Sequence, residues 1–101
     1  MRDELDTADE LLTAWIAAKR IADNAATKHK HLTAAQIKAI ADREGIGKAK
    51  EFVIASDEWL SRQIFCDEKS VDAHLAKERY EQAIRRWETA RSEHSALRKV
   101  A

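Results

Sequence analysis

The sequence predicts an all-α fold: a small helical bundle with two long antiparallel helices and a shorter helix-turn-helix corner. Three observations predict it. The 101-residue chain has no proline and only two glycines, Gly45 and Gly47, and these two residue types are the strongest helix breakers. Apolar residues recur at spacings of three and four over most of the length, the signature of one helix face. Hydrophobic residues make up 45% and charged residues 36% of the chain, a globular composition with a modest core for a single domain spanning residues 1–101.

The first helix is expected from about Asp3 to about His31. Its stripe is Leu11, Ala14, Ala18, Ile21 and Ala25, with Leu5, Ala8 and Trp15 alongside. Acidic Asp3, Glu4, Asp6, Asp9 and Glu10 crowd its start, and Lys28, His29, Lys30 and His31 crowd its end. Both clusters complement the helix macrodipole.

The second helix has the clearest start signal. Thr33 is a good N-cap, Gln36 completes a capping box, and Leu32 with Ile37 forms a hydrophobic staple. Ile37, Ile40 and Ala41 share its apolar face, and it should stop near Glu44 with Gly45 in the left-handed position.

A third helix is expected from near Lys48, with Phe52, Val53, Trp59, Leu60 and Ile64 on a broad apolar face. Ser56-Asp57-Glu58 could act as a cap and divide it. The stretch CDEKSVDAHL marks the next break, with Ser70 as N-cap and Asp72 in the first turn of a fourth helix running to about Lys99. That helix carries a regular heptad, Ala73, Tyr80, Trp87 and His94 at one seam position and Ala76, Ala83, Ala90 and Leu97 at the other. Large residues alternating with alanines allow close helix approach.

The first and fourth helices match, each about 28 residues and so about 42 Å long. An antiparallel pairing sets the acidic start of the first against Arg85, Arg86, Arg91, Arg98 and Lys99, and Lys28 to His31 near Asp67, Glu68 and Asp72. Exposed ion pairs are worth about 0.2–1 kcal/mol each, so they choose orientation more than they stabilise. A 3.5-residue repeat can also be answered by another copy of the chain, so a homodimer competes with the intramolecular pair.

Charge and cysteine content narrow the function classes. Lys plus Arg equals Asp plus Glu at 18 each, which argues against a dedicated nucleic-acid binder. Cys66 stands alone, so no internal disulfide forms. The acidic MRDELDTADELL lacks the layout of a signal peptide, and the longest apolar run, Phe52 to Ala55, is too short for a bilayer. A cytoplasmic setting is expected, with no membrane partner.

The candidate sites divide between DNA binding and protein binding. A DNA-reading helix-turn-helix wants a small residue in its first helix and a glycine in the turn. Ala41 and Gly45 meet those demands, and Ile40, Ile46 and Ile54 meet some of the inward positions. IADREGIGKAK therefore resembles the helix-turn-helix family over about twenty residues, which implies DNA contact through Lys48 and Lys50 on the third helix. Glu44 and Glu51 depart from the pattern, and Glu51, Asp57 and Glu58 would repel phosphates.

No metal, cofactor or catalytic set is expected. His29 and His31 are two apart and diverge on a helix, and no spacing completes a zinc set. Asp67 and Glu68 beside Cys66 disfavour a thiolate. His94 reads as a partly buried seam histidine and His74 as exposed. The carboxylates lie on solvated faces, with no nucleophile–base order or phosphate-binding loop. A non-enzymatic protein-binding module is the leading expectation, docking a charged and aromatic helical surface on a larger protein through Glu58, Trp59, Arg85, Arg86, Trp87 and Arg91. Compact, charge-balanced helical chains of this kind are similar to small regulators and inhibitors of mobile elements, including phage anti-CRISPR proteins. The secreted WXG-type hairpins are excluded on their motifs: Trp59-Leu60-Ser61 lacks the glycine, and Ile84 rather than an acid stands four residues after Tyr80.

Overall fold

The computed structural model describes residues 2–100, and side-chain burial for residue 3 and residues 5–97. Among the described residues the elements are α1 (Arg2–Glu44), α2 (Ile46–Ile54) and α3 (Asp57–Val100). The chain is all-helical, and it breaks at the expected Gly45 and at the Ser56 cap but not at Thr33 or Ser70.

Helix α1 runs through Leu32 and Thr33 without interruption. The Thr33 hydroxyl donates to the His29 carbonyl oxygen at 2.7 Å, one turn back. A threonine used this way sits within a helix rather than opening one. The capping box at Thr33 is a local option, and with neither glycine nor proline before Gly45 the continuing helix supplies intrahelical acceptors instead.

Gly45 is the first true break. Its φ is 83° and ψ 158°, in the positive-φ extended region that glycine alone adopts readily, rather than the left-handed helical well expected of it. Its N–H donates to the Ala41 carbonyl at 3.0 Å, and its own carbonyl accepts from the Ala49 N–H at 3.0 Å. One residue therefore closes α1 and opens α2, which starts at Ile46 instead of near Lys48.

The expected third helix is divided at Ser56. The Ser56 hydroxyl donates to the Val53 carbonyl at 2.6 Å and accepts from the Trp59 N–H at 3.2 Å. It thus satisfies the end of α2 and caps α3, whose first turn carries Asp57 and Glu58. The expected start at Ser70 is absent, because α3 continues to Val100. Residues 57–100 contain neither glycine nor proline. Side-chain pairs one turn apart bracket the site: Gln63 to Asp67 at 3.0 Å, His74 to Glu78 at 3.2 Å and Lys77 to Glu81 at 3.9 Å. The two rods of about 28 residues are in fact helices of 43 and 44 residues.

The chain forms two compact units, Met1–Lys19 with Asp72–Ala101, and Arg20–Val71. In the first unit the inward positions are Ala8, Leu11, Trp15 and Ala18 on α1, and Ala73, Ala76, Tyr80, Ala83, Trp87 and Ala90 on α3. Ala8 and Ala83 are buried, and the Trp15 ring stacks on Tyr80 with centroids 5.6 Å apart. The heptad of α3 is thus turned inward through Ala90, while His94 and Leu97 beyond it are exposed. Ala14 and Ile21, expected on the stripe, and Leu5, expected beside it, are exposed, while Trp15, expected beside it, and Ala22 turn inward. The seam follows a 3.5-residue repeat, whereas the expected stripe follows a straight helix face. The expected pairings of Glu4, Arg98 and Lys99 lie outside the described side chains.

In the second unit α1 turns Ala25, His29, Gln36 and Ile40 inward, and α3 turns Trp59, Arg62, Cys66 and Lys69 inward. Helix α2 is anchored by Ala49 and Val53, both buried. The buried residues described across the chain, Ala8, Ala49, Val53 and Ala83, are all small.

Candidate functional sites

The second unit holds a connected polar cluster at its seam. The Arg62 Nε–H donates to His29 Nδ1 at 3.1 Å, and Arg62 Nη2 donates to Gln36 Oε1 at 2.7 Å. Arg62 Nη1 reaches Glu58 Oε1 at 3.1 Å, an ion pair one turn back on α3. His29 Nε2 lies 3.1 Å from Gln63 Oε1, and Gln63 Nε2 donates to Asp67 Oδ1 at 3.0 Å. Because Nδ1 accepts, the neutral ring carries its proton on Nε2 and donates it to Gln63. Trp59 covers the ring with centroids 5.2 Å apart. Every member has a partner, so the cluster fixes the pairing of α1 with α3 rather than waiting for a ligand.

Two surface grooves lie beside the seams. In the first unit Asp3, Thr7 and Leu11 of α1 and Arg79, Gln82 and Arg86 of α3 surround a groove of about 380 Å³. Its polar rim holds guanidinium groups opposite a carboxylate, and its floor is Leu11 and Ala83. In the second unit Ala25, Leu32, Phe65 and Cys66, with Lys28, His29, Ser61 and Arg62, line a mostly apolar groove of about 310 Å³. Leu32 and Phe65 are exposed there, and the Lys69 ammonium stands 5.2 Å from the Phe65 ring centre.

The sequence-nominated docking residues divide between the units. Arg85, Arg86 and Arg91 are exposed in the first unit, and Trp87 is half-buried beneath the Arg91 guanidinium, 5.1 Å from its ring centre. Glu58 and Trp59 belong to the second unit, Glu58 exposed and paired with Arg62, Trp59 turned toward His29. Lys48 and Lys50 are exposed on α2, and so is Glu51 between them and the buried Val53. Of the KHKH run only His29 turns inward. Arg62, Gln36 and Gln63 were missed as a set. Stepping the α3 heptad back from Ala73 and Ala76 reaches 59, 62, 66 and 69, so the periodicity alone could have placed Arg62 on the seam.

No family model, curated protein or solved structure matches the chain. Among the described residues no helix is long and apolar enough to cross a membrane.

Proposed function

We propose that this chain is a non-enzymatic protein-binding module, a small regulator or inhibitor that docks a helical surface on a larger protein. The fold we infer for it is a bundle of antiparallel helical segments with α2 as a short corner. In support of the antiparallel order, Trp15 meets Tyr80 while the earlier Asp3 and Thr7 share a groove with the later Gln82 and Arg86.

The observation that carries the reading is surface. Ile16, Ile46, Phe52, Leu60, Ile64 and Leu75 are all at least 44% exposed. Large apolar side chains left exposed in this way suit an interaction surface. Arg85, Arg86 and Arg91, with Trp87 beneath, supply the charged and aromatic contact in the first unit, and Glu58 with Trp59 a second patch in the other.

The test is capture by the immobilised full chain, compared with the double variant Arg86→Glu/Arg91→Glu. Loss of a specific captured protein, with an unchanged circular dichroism spectrum, supports the reading. Capture of nothing specific, or equal capture by the variant, overturns it.

A second reading, a helix-turn-helix regulator, draws on the exposure of Lys48 and Lys50 on the helix after the Gly45 corner. It requires duplex DNA binding that falls steeply with salt and weakens in Lys48→Glu/Lys50→Glu. Indifference to duplex DNA at low salt overturns it.

A further inference from the structure

The geometry points to a second copy of this chain as the occupant of the apolar groove in the second unit. The proposal rests on the protein-binding reading and names one partner for it. Within this unit, Ile21, Ala25, Lys28 and Leu32 fall at i, i+4, i+7 and i+11 and so share one face of α1. Ser61, Phe65 and Glu68 fall at i, i+4 and i+7 on α3. The groove joins the two faces, since Ala25, Lys28, Leu32, Ser61 and Phe65 all line it. Ile21 is 51%, Leu32 37% and Phe65 48% exposed, an apolar strip that a monomer leaves in water.

The charges on that strip are complementary to themselves. Helix α1 contributes Lys28, and α3 contributes Glu68, both exposed. A two-fold axis running along the helices lays α1 of one copy against α3 of the other, at the same height and in the opposite direction. His29 meets Gln63 within one chain, so Lys28 lies within about one to two turns of the partner's Glu68. Symmetry makes the contact twice. The wrong pairing, lysine on lysine, is avoided because like elements do not face each other.

One further fact favours self-association: the formal net charge is zero, so no long-range repulsion keeps copies apart.

Sedimentation equilibrium on the full chain tests the proposal. Wild type should show twice the 11.5 kDa chain mass. Lys28→Glu and Glu68→Lys should each raise the dissociation constant by about tenfold or more, because each sets like charges together twice. An equimolar mixture of the two variants should recover the dimer mass, since every contact then joins opposite charges. Cys66 lines the groove and gives an independent readout: its labelling by a thiol reagent should slow as protein concentration rises. A mass of one chain at all concentrations, a dimer indifferent to the reversals, or a mixture no better than its components overturns the proposal. Arg86→Glu/Arg91→Glu keeps the dimer mass, so the two readings fail separately. A monomer that captures a partner sinks only the dimer, and a dimer that captures nothing sinks only the docking role.

Discussion

The Nε–H of Arg62 donates to Nδ1 of His29 across the α1–α3 seam at 3.1 Å. The same guanidinium serves Gln36 on α1 and Glu58 on α3, so one side chain ties three others. Its side chain is only 16% exposed, and its partners lose a charged donor if it is removed. Arg62→Ala should cost about 1–3 kcal/mol in urea unfolding. Arg62→Lys should recover little of it, because an ammonium cannot copy the planar fork. A loss within the error of the melt would show that the cluster is ornamental.

The two glycines should respond in opposite directions to alanine. Nothing lies within 4 Å of a Cβ built on either, so packing does not decide the outcome. Gly45 has a positive φ, and Gly45→Ala should destabilise by about 1–3 kcal/mol through backbone strain. Gly47 lies within α2 without a positive φ, and Gly47→Ala should stabilise by about 0.5–1 kcal/mol. Thermal melts of the pair would settle the sign at each site.

Two serines distinguish a three-helix chain from a four-helix one. Ser56 caps α3 through the Trp59 N–H, so Ser56→Ala should cost about 1 kcal/mol. Ser70 is exposed inside α3, and Ser70→Ala should change stability by less than about 0.5 kcal/mol, in the favourable direction of alanine's helix propensity. A large loss at Ser70 would restore the break that the sequence suggested.

Ala83 is 7% exposed on the inner face of α3, where the close approach of α1 depends on a small side chain. Ala83→Leu should overpack the seam and cost about 1–3 kcal/mol. Ala96→Leu, on an exposed position of the same helix, should be near neutral. Denaturant midpoints measured side by side would expose any tolerance at Ala83 that contradicts a tight seam.

Helicity was legible because it depends on composition and period, and the inward positions of α3 from Ala73 to Ala90 were legible for the same reason. The helix ends were legible only in part: the stop at Glu44 before Gly45 was, and the starts at Thr33 and Ser70 were not. Thr33 and Ser70 carry good capping chemistry, but a cap forms only where the chain stops, and without glycine or proline it has no reason to stop at either. Ser56 differs because its hydroxyl closes α2 while opening α3. The stripe on α1 misplaces Ala14 and Ile21 because the two repeats share Leu11, Ala18 and Ala25 and diverge between them. Of the candidate docking residues, the arginines were readable as exposed and Trp87 as a seam position, with Arg91 one turn further along the same helix. Trp59 was not readable as half covered, because the ring beside it, His29 of α1, is supplied only by tertiary structure.

The three tryptophans occupy unlike surroundings: Trp15 against a tyrosine, Trp59 against a histidine, Trp87 beneath an arginine. Each is therefore a built-in optical reporter of its own surroundings. Chains retaining a single indole, the others replaced by phenylalanine, would let emission from Trp15 and Trp59 follow the melting of each unit without any attached dye.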